Sequence, residues 1–549
     1  MKPLIILYNA NLITFDENCP KATACAILGK RILDIGQDHE LTETYRQTPF
    51  ETEWIDLKGK TVLPGLADAH LHLQQFSLSL QKINCETATM EACLQRVAEK
   101  ASKLPPGEWI LGHGWNQNYW KEGFGDASTL DQFAPHHPVY LTAKSLHAAW
   151  VNSLALERAG INAQTPDPPG GIIQRQPDGK PTGILFENAM QLVASVIPQP
   201  SKTQTKQAIL EAQNALLQLG ITCIHDFDGK ECFATLQELH QEGQLKLRVV
   251  KNIPAELMEE ALNLGLHSGF GDDQLRLGSI KFFADGALGP RTAAMFDPYL
   301  GEPENCGALL LDSETLTELG SRAIQNGWSL AVHAIGDRAN HEVLDALQNL
   351  RRIEQETLQG KTCSLRHRIE HVQLLHPQDI GRLAKLRIIA SMQPFHATSD
   401  MEMAERYWGR ARNRYAYAWR SQLEQGTVLA FGSDAPVEFP NPFWGLHAAV
   451  TRQRADGSPA DEGWIPEEKI SLDEALRAYT TGAAFAAKME DRLGKLVPSY
   501  YADLIVLDQD PYTVAAHELK DLKPLATMVS GQWVWADKQQ SLLANLNLE

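Results

Sequence analysis

A chain of 549 residues is too long for one ordinary hydrophobic core, so two or three structural units are expected. Hydrophobic residues make up 43% and charged residues 21%, a globular balance with material for a large core. The 50 Lys and Arg against 68 Asp and Glu leave a net charge of −18, which argues against nucleic acid or an anionic membrane as the main partner and says little about a small substrate, which meets only the local field of a pocket.

The N-terminal apolar run Leu4–Leu7 is too short for a secretory signal, and no later segment is long and uncharged enough to span a bilayer. Eight scattered cysteines (Cys19, Cys25, Cys85, Cys93, Cys223, Cys232, Cys306, Cys363) include no CxxC pair, so a structural zinc ribbon is excluded. They read as the reduced thiols of a cytoplasmic protein. A monomer and a homo-oligomer fit equally well.

In chain order, Leu4–Phe15, Ala22–Leu28 and Lys30–Ile35 are β-rich, and Trp54–Leu63 is a further run broken at Gly59. The C-terminus repeats this texture in Asp503–Leu507 and Ala526–Trp535. Residues 1–62 and 488–549 are therefore expected to form one composite β-sandwich. Between them, apolar strands alternate with amphipathic helices, the pattern of parallel βα units. Eight runs qualify: Val62–Leu71, Ile221–Phe227, Leu245–Ile253, Leu275–Ala284, Ser329–Ala334, Arg366–Leu374, Ile388–Gln393 and Thr427–Gly432. They predict an α/β fold, a (β/α)8 TIM barrel over residues 63–487. The first connection is far too long for a barrel loop, so residues 76–190 are expected to be an inserted α/β subdomain over the barrel mouth.

Asp68-Ala-His70-Leu-His72 closes the first strand, and alternation puts both imidazoles on one face, as two ligands of one metal require. Alone, this pair is as readily a hydrogen-bonded or exposed one. Later strands add Lys281 on the fourth, His333 on the fifth, His371 on the sixth and Asp434 after the eighth. Singly, each has an ordinary reading: a satisfied core histidine, or an aspartate that starts a turn. Strand C-termini of a barrel converge on one rim, and their conjunction there points to a metal site. One aspartate gives little charge for a divalent ion, and an ammonium beside it repels it. A lysine of lowered pKa can add carbon dioxide and become an anionic carbamate that bridges two cations. Metal-assisted hydrolysis follows, with hydroxide generated from bound water and Asp434 carrying the proton to the leaving amine.

With these residues go Leu63-Pro-Gly-Leu66, His147-Ala-Ala-Trp-Val-Asn-Ser153, Pro168-Pro-Gly-Gly-Ile172, Pro181-Thr-Gly-Ile-Leu-Phe-Glu187 and Asp285-Gly-Ala-Leu-Gly289. Val332-His-Ala-Ile-Gly-Asp337, Arg368-Ile-Glu-His371 and Gly432-Ser-Asp-Ala-Pro-Val437 complete the set. Over nearly its whole length the chain resembles the amidohydrolase superfamily, in the branch that includes N-substituted formamide deformylase. The resemblance implies zinc, as one or two ions, at His70, His72, Lys281, His333 and His371, and Asp434 as acid/base. One departure is Lys144-Ser-Leu-His147, where relatives carry an Arg/Asp/Gly run before the histidine.

Five further residues are candidates for substrate contact. Trp115, in Gly112-His-Gly-Trp-Asn116, reads as a lid aromatic or as internal packing. His147, Glu187 and His225 read as substrate groups or as buried polar residues, and Arg291 as a carboxylate clamp or a surface ion pair. The reaction expected is hydrolysis of a non-peptide carbon–nitrogen bond in an N-acyl or N-formyl amine. A cyclic-amide, deaminase or ester substrate would suit the same site, and a non-catalytic regulatory homologue is the reading from another class. Retention of all six metal-site positions argues against the last.

Overall fold

The computed structural model describes residues 3–117, 120–144, 148–357 and 365–538. It divides into two compact units, one formed by the chain up to Phe76 with everything from Ile209 onward, the other by Ser77–Ala208.

The first unit holds eight parallel strands, here β1 (Leu66–Leu71), β2 (Ile221–Asp226), β3 (Arg248–Pro254), β4 (Leu275–Phe283), β5 (Ser329–Ala334), β6 (Arg368–His371), β7 (Ile389–Met392) and β8 (Leu429–Phe431). Each pairs with the next in sequence order. After β8 the chain returns to β1: Leu71 bridges Ala435 in parallel, Asp434 N donates to His70 O at 2.7 Å, and His72 N donates to Ala435 O at 2.8 Å. The result is a TIM barrel, as the alternating pattern predicts. Its strands are buried on both faces, which is why they read as near-continuous apolar runs.

The helices follow the same local chemistry. Lys202–Gln218 buries Ile209, Ala212 and Leu216 on one stripe, and the chain turns into β2 at Gly220, where φ is +80°. Ser313–Gln325 starts on Asp312, whose carboxylate accepts from Thr315 N at 2.8 Å. Packed against the barrel, Leu344, Leu347 and Leu350 meet Leu330, Val332 and Ile369 in one core.

One predicted strand is divided. Of the run Val62–Leu71, Thr61–Pro64 pairs with Leu504–Leu507 and Asn11–Ile13, and only Leu66–Leu71 enters the barrel. Gly65 sits at the switch, where a Cβ would lie 2.3 Å from Thr222 Oγ1, so no larger residue fits. Thr61–Pro64 belongs to a six-stranded sheet that interleaves both termini, and a four-stranded sheet is built from the first 56 residues alone. Leu7, Leu12 and Ile27 share a core with Leu504, Val506 and Met528. This terminal assembly is tied to the barrel by buried Arg248 on β3, which donates to both Asp503 oxygens at 2.5 and 3.0 Å and to Ser530 Oγ at 2.7 Å.

The second unit is a six-stranded mixed sheet with helices, including Met90–Ala101 and Ala127–Phe133. Trp115, Trp120, Trp150 and Leu141 fill its main core. It extends past position 190 because Met190 and Val193 of Met190–Ala194 pack into a neighbouring core of the same unit. Among the described residues, no helix is long and apolar enough to cross a membrane.

Removing one partner of a buried ion pair strands the other charge. Asp503→Ala is therefore expected to destabilise the first unit by about 3–5 kcal/mol in denaturant unfolding. Replacing Arg248 by Met in the same chain should recover part of that loss, because no buried charge is then left unpaired.

Candidate metal centre

All six metal-site residues expected from the sequence come together at the C-terminal rim of the barrel. His70 and His72 leave the end of β1, and each places its Nε2 3.5 Å from the same Asp434 Oδ1. The His70 ring lies 4.9 Å from that of His371, which lies 4.6 Å from that of His333. Lys281, buried on β4, sits with its Nζ 4.6 Å from the Phe227 ring centre and 4.9 Å from that of Phe283. Phe227 in turn stacks on His70 at 4.0 Å.

Two backbone irregularities aim these groups. His371 has φ +75° and Asp434 φ +60°, left-handed values that cost energy in non-glycine residues and recur at functional sites. At His371 the kink breaks strand alternation, so Glu370 and His371, although consecutive, both turn toward His70.

Each imidazole is held from behind by an acceptor. His70 Nδ1 donates to Glu370 Oε2 at 2.6 Å. His371 Nδ1 donates to Gln393 Oε1 at 2.9 Å, and His333 Nε2 to the Gly286 carbonyl at 2.8 Å. His72 Nδ1 faces Asp228 Oδ1 at 3.4 Å. A proton committed outward leaves the other ring nitrogen with a free lone pair toward the centre. Burial, reinforced by the Lys281 charge, pulls His70 and His333 down to about 4, and burial also takes His371 well below the ordinary range. All three are neutral donors at neutral pH.

His72 runs the other way. Burial would lower it, but its contacts to Asp228 and Asp434 raise it to about 9. Two carboxylates around one ring call for a positive charge, which a proton or a metal cation can supply. Burial likewise opposes ionisation of Asp434, yet His72, His70 and His371 hold it well below the usual carboxylate range. Ligand atoms of His70, His72 and Asp434 lie within 4.8 Å of one another, a span that suits a single small cation. Neutral imidazoles converging on an ionised carboxylate are the donor set of a divalent metal.

The carboxylate behind His70 is itself fixed. Arg368 approaches Glu370 at 2.5 and 3.0 Å, donates to Ala69 O at 2.6 Å and meets His225 Nδ1 at 2.8 Å. His225 is thus enclosed in the barrel interior, with no exposure to solvent. Arg291 is paired with Glu302 at 2.7 Å and donates to Tyr407 Oη at 3.2 Å. In the second unit, Trp115 is buried, stacks on Trp120 and donates from Nε1 to Leu141 O at 2.8 Å, while Glu187 is exposed at the end of the strand Pro181–Glu187. His147 lies outside the described residues.

Glu370, Asp228, Gln393 and Gly286 carried no expectation from the sequence. Glu370 alone left a signal: it stands two residues from Arg368 in a predicted barrel strand, where a carboxylate is rarely buried without a cation.

A barrel with this rim defines a metal-dependent hydrolase. The amidohydrolase family model matches residues 53–535, and the chain belongs to that family. It is 32% identical over 547 residues to the protein LONG AFTER FAR-RED 3 of Arabidopsis thaliana, covering 97% of this chain and 91% of that one. With the N-substituted formamide deformylase of Arthrobacter pascens it shares 30% identity over 558 residues, covering 97% and 98%. The crystal structure of an uncharacterized metal-dependent hydrolase from Pyrococcus furiosus superposes with a TM-score of 0.75 at 29% identity, over 92% of this chain and 99% of that one.

Glu370→Gln keeps the shape behind His70 but removes the charge that orients its ring. Metal affinity, read by competition with a chromophoric chelator, is expected to fall by about 10- to 100-fold while the circular dichroism spectrum is retained.

Proposed function

We propose that the chain hydrolyses a non-peptide carbon–nitrogen bond in an N-acyl or N-formyl amine. The observation that carries this reading is Asp434, held ionised with its Oδ1 3.5 Å from the Nε2 of both His70 and His72 on one rim. Zinc, as one or two ions, is the metal proposed, held by His70, His72, His333, His371 and Asp434, with Lys281 as its carbamate. When bound, such an ion supplies Lewis acidity to a water and to the scissile carbonyl.

The residues then have distinct tasks. Asp434 accepts the proton that the attacking water loses and returns it to the leaving nitrogen. A new C–O bond forms as the carbonyl π pair moves to oxygen. Re-forming that C=O breaks the C–N bond, and the amine departs with the proton. His70 and His371 are held in one orientation by Glu370 and Gln393, so none of this requires a ring to turn.

The surroundings support an apolar amine substituent. Phe283, 52% exposed, ends β4 with its ring 5.2 Å from His333. Past Asp434 come Val437 and Phe439, 66% and 44% exposed, and Trp444 joins Phe439 to Phe395 at 5.5 and 5.9 Å. The similarity to a formamide deformylase points to the same substrate class.

The test is a screen of the metal-loaded enzyme over formamides, acyl amino acids, cyclic imides and aryl esters. Release of free amine with formate or another carboxylate is expected, and turnover confined to imides or esters would overturn the reading.

Lys281→Ala is expected to lose bound metal together with nearly all turnover, and small carboxylates such as formate should partly restore both. Enzyme reconstituted in carbon-dioxide-depleted buffer should activate slowly until bicarbonate is added. Metal retained at full stoichiometry in Lys281→Ala would show instead that Lys281 works as an ammonium.

A further inference from the structure

His396 sits on the first turn of the helix Pro394–Tyr407, directly after β7, and is 5% exposed. One of its ring nitrogens lies within 4.8 Å of ligand atoms of both His371 and Asp434. Its ring stacks on that of His371 at 6.2 Å and 19°. Among the described residues its Nε2 has no hydrogen-bond partner, although it is buried. A buried polar nitrogen left unpaired costs free energy, so it calls for a partner that the described residues do not supply.

The environment of the other nitrogen separates His396 from the four histidines of the metal site. His70, His333 and His371 each meet an oxygen acceptor behind the ring, and His72 faces a carboxylate. Behind His396, Nδ1 faces the amide nitrogen of Gln373 at 3.4 Å. A donor there makes Nδ1 the acceptor and places the ring proton on Nε2. His396 therefore offers an N–H, where the others offer lone pairs.

We propose that His396 is a catalytic residue, its Nε2–H donating a hydrogen bond to the carbonyl oxygen of the substrate as that oxygen becomes an anion. This rests on the amide-hydrolysis reading above. Water adds to the carbonyl carbon, its proton goes to Asp434, and the displaced π pair makes the oxygen anionic. His396 keeps its proton throughout. Collapse of the adduct re-forms C=O and breaks C–N, with the Asp434 proton going to nitrogen. The need for such a donor is plain in the rest of the rim: four imidazoles are committed as ligands, and Asp434 only accepts. A fixed donor aimed at developing charge acts on the transition state more than on the ground state.

The experiment compares wild-type, His396→Ala and His396→Gln holoenzymes. Three quantities are measured: metal content, turnover of 4-nitroformanilide, and calorimetric affinity for methylphosphonate, a tetrahedral anion. In His396→Ala, kcat should fall by about 10²- to 10³-fold with KM changed by less than about 3-fold. Metal stoichiometry should be unchanged, and methylphosphonate should bind at least about 10-fold more weakly. His396→Gln retains an N–H and should recover about 10-fold in kcat. Loss of metal in either variant would make His396 a ligand and overturn the proposal. Unchanged kcat and unchanged phosphonate affinity would make it a wall residue and overturn it equally. A wild-type enzyme silent on the formanilide would count against the amide reading itself, and the phosphonate comparison would then decide His396 alone.

Discussion

The barrel is closed through its candidate metal centre. Between β1 and the turn after β8 there is no long ladder. The seam is instead Asp434 N on the His70 carbonyl, His72 N on the Ala435 carbonyl, and the Asp68 carboxylate, which takes His70 N at 3.1 Å, Ser433 N at 3.0 Å and Ser433 Oγ at 2.5 Å. Gly432 makes the approach possible, since a Cβ there would lie 2.5 Å from His70 N. The spacing of Asp434 from both histidines is thus set by main-chain bonds, with little left to side-chain rotamers. Opening the seam would spread the candidate ligands at once, so an ion held by them would couple its affinity to closure of the fold.

Behind this seam the same device is used twice. His70 leans on Glu370, and Glu370 on Arg368. His72 leans on Asp228, whose neighbour Asp226 is paired with buried Lys251 at 2.6 Å while Lys251 also bonds the Asp228 carbonyl. Buried ion pairs are poor sources of net stability, because desolvation offsets most of the attraction. Their value here is positional. An imidazole backed by a carboxylate that cannot move keeps one tautomer and one orientation, and metal affinity depends on both. Lys251 and Arg368 emerge from strand positions that would otherwise hold aliphatic residues, and no part of the barrel core requires them.

Much of the framework was legible because parallel strands buried on both faces leave continuous apolar runs, and those runs end where the ligands lie. The rest was hidden for specific physical reasons. Alternation predicts opposite faces for Glu370 and His371, and only the left-handed backbone at His371 brings both inward, a feature that residue identity does not encode. Asp228 lies beyond the end of β2, so no periodicity reports its direction. Val62–Leu71 reads as one strand only if its apolar residues alone are followed; Pro64-Gly65 is a turn signal, and the chain changes sheets there. Trp115 allowed a lid or a packing role from sequence, and its burial and its bond to Leu141 O belong to the packing description of its own unit.

The charges of the centre bear on the chemistry still to be tested. Glu370 is compensated by Arg368, and Asp228 by its position beside His72 and Lys251, while Asp434, ionised between His70 and His72, is placed to offset a divalent ion. Lys281 stands opposite with its Nζ over two ring faces. An ammonium carries three donors and is expensive to bury on aromatic contacts alone. Burial accordingly pulls Lys281 down to about 8, although Glu370 and Asp434 oppose the shift. A lowered pKa raises the share of this group that is free amine at neutral pH. Free amine, formed when the ammonium gives one proton to solvent, is the form that attacks carbon dioxide: a new N–C bond forms as one C=O π pair moves to oxygen, and loss of a second proton from nitrogen leaves the anionic carbamate. On the proposed carbamate, that exchange would remove a buried ammonium and supply a second negative charge for a dication at this rim. One modification would meet both electrostatic demands, and the strand itself would not have to move.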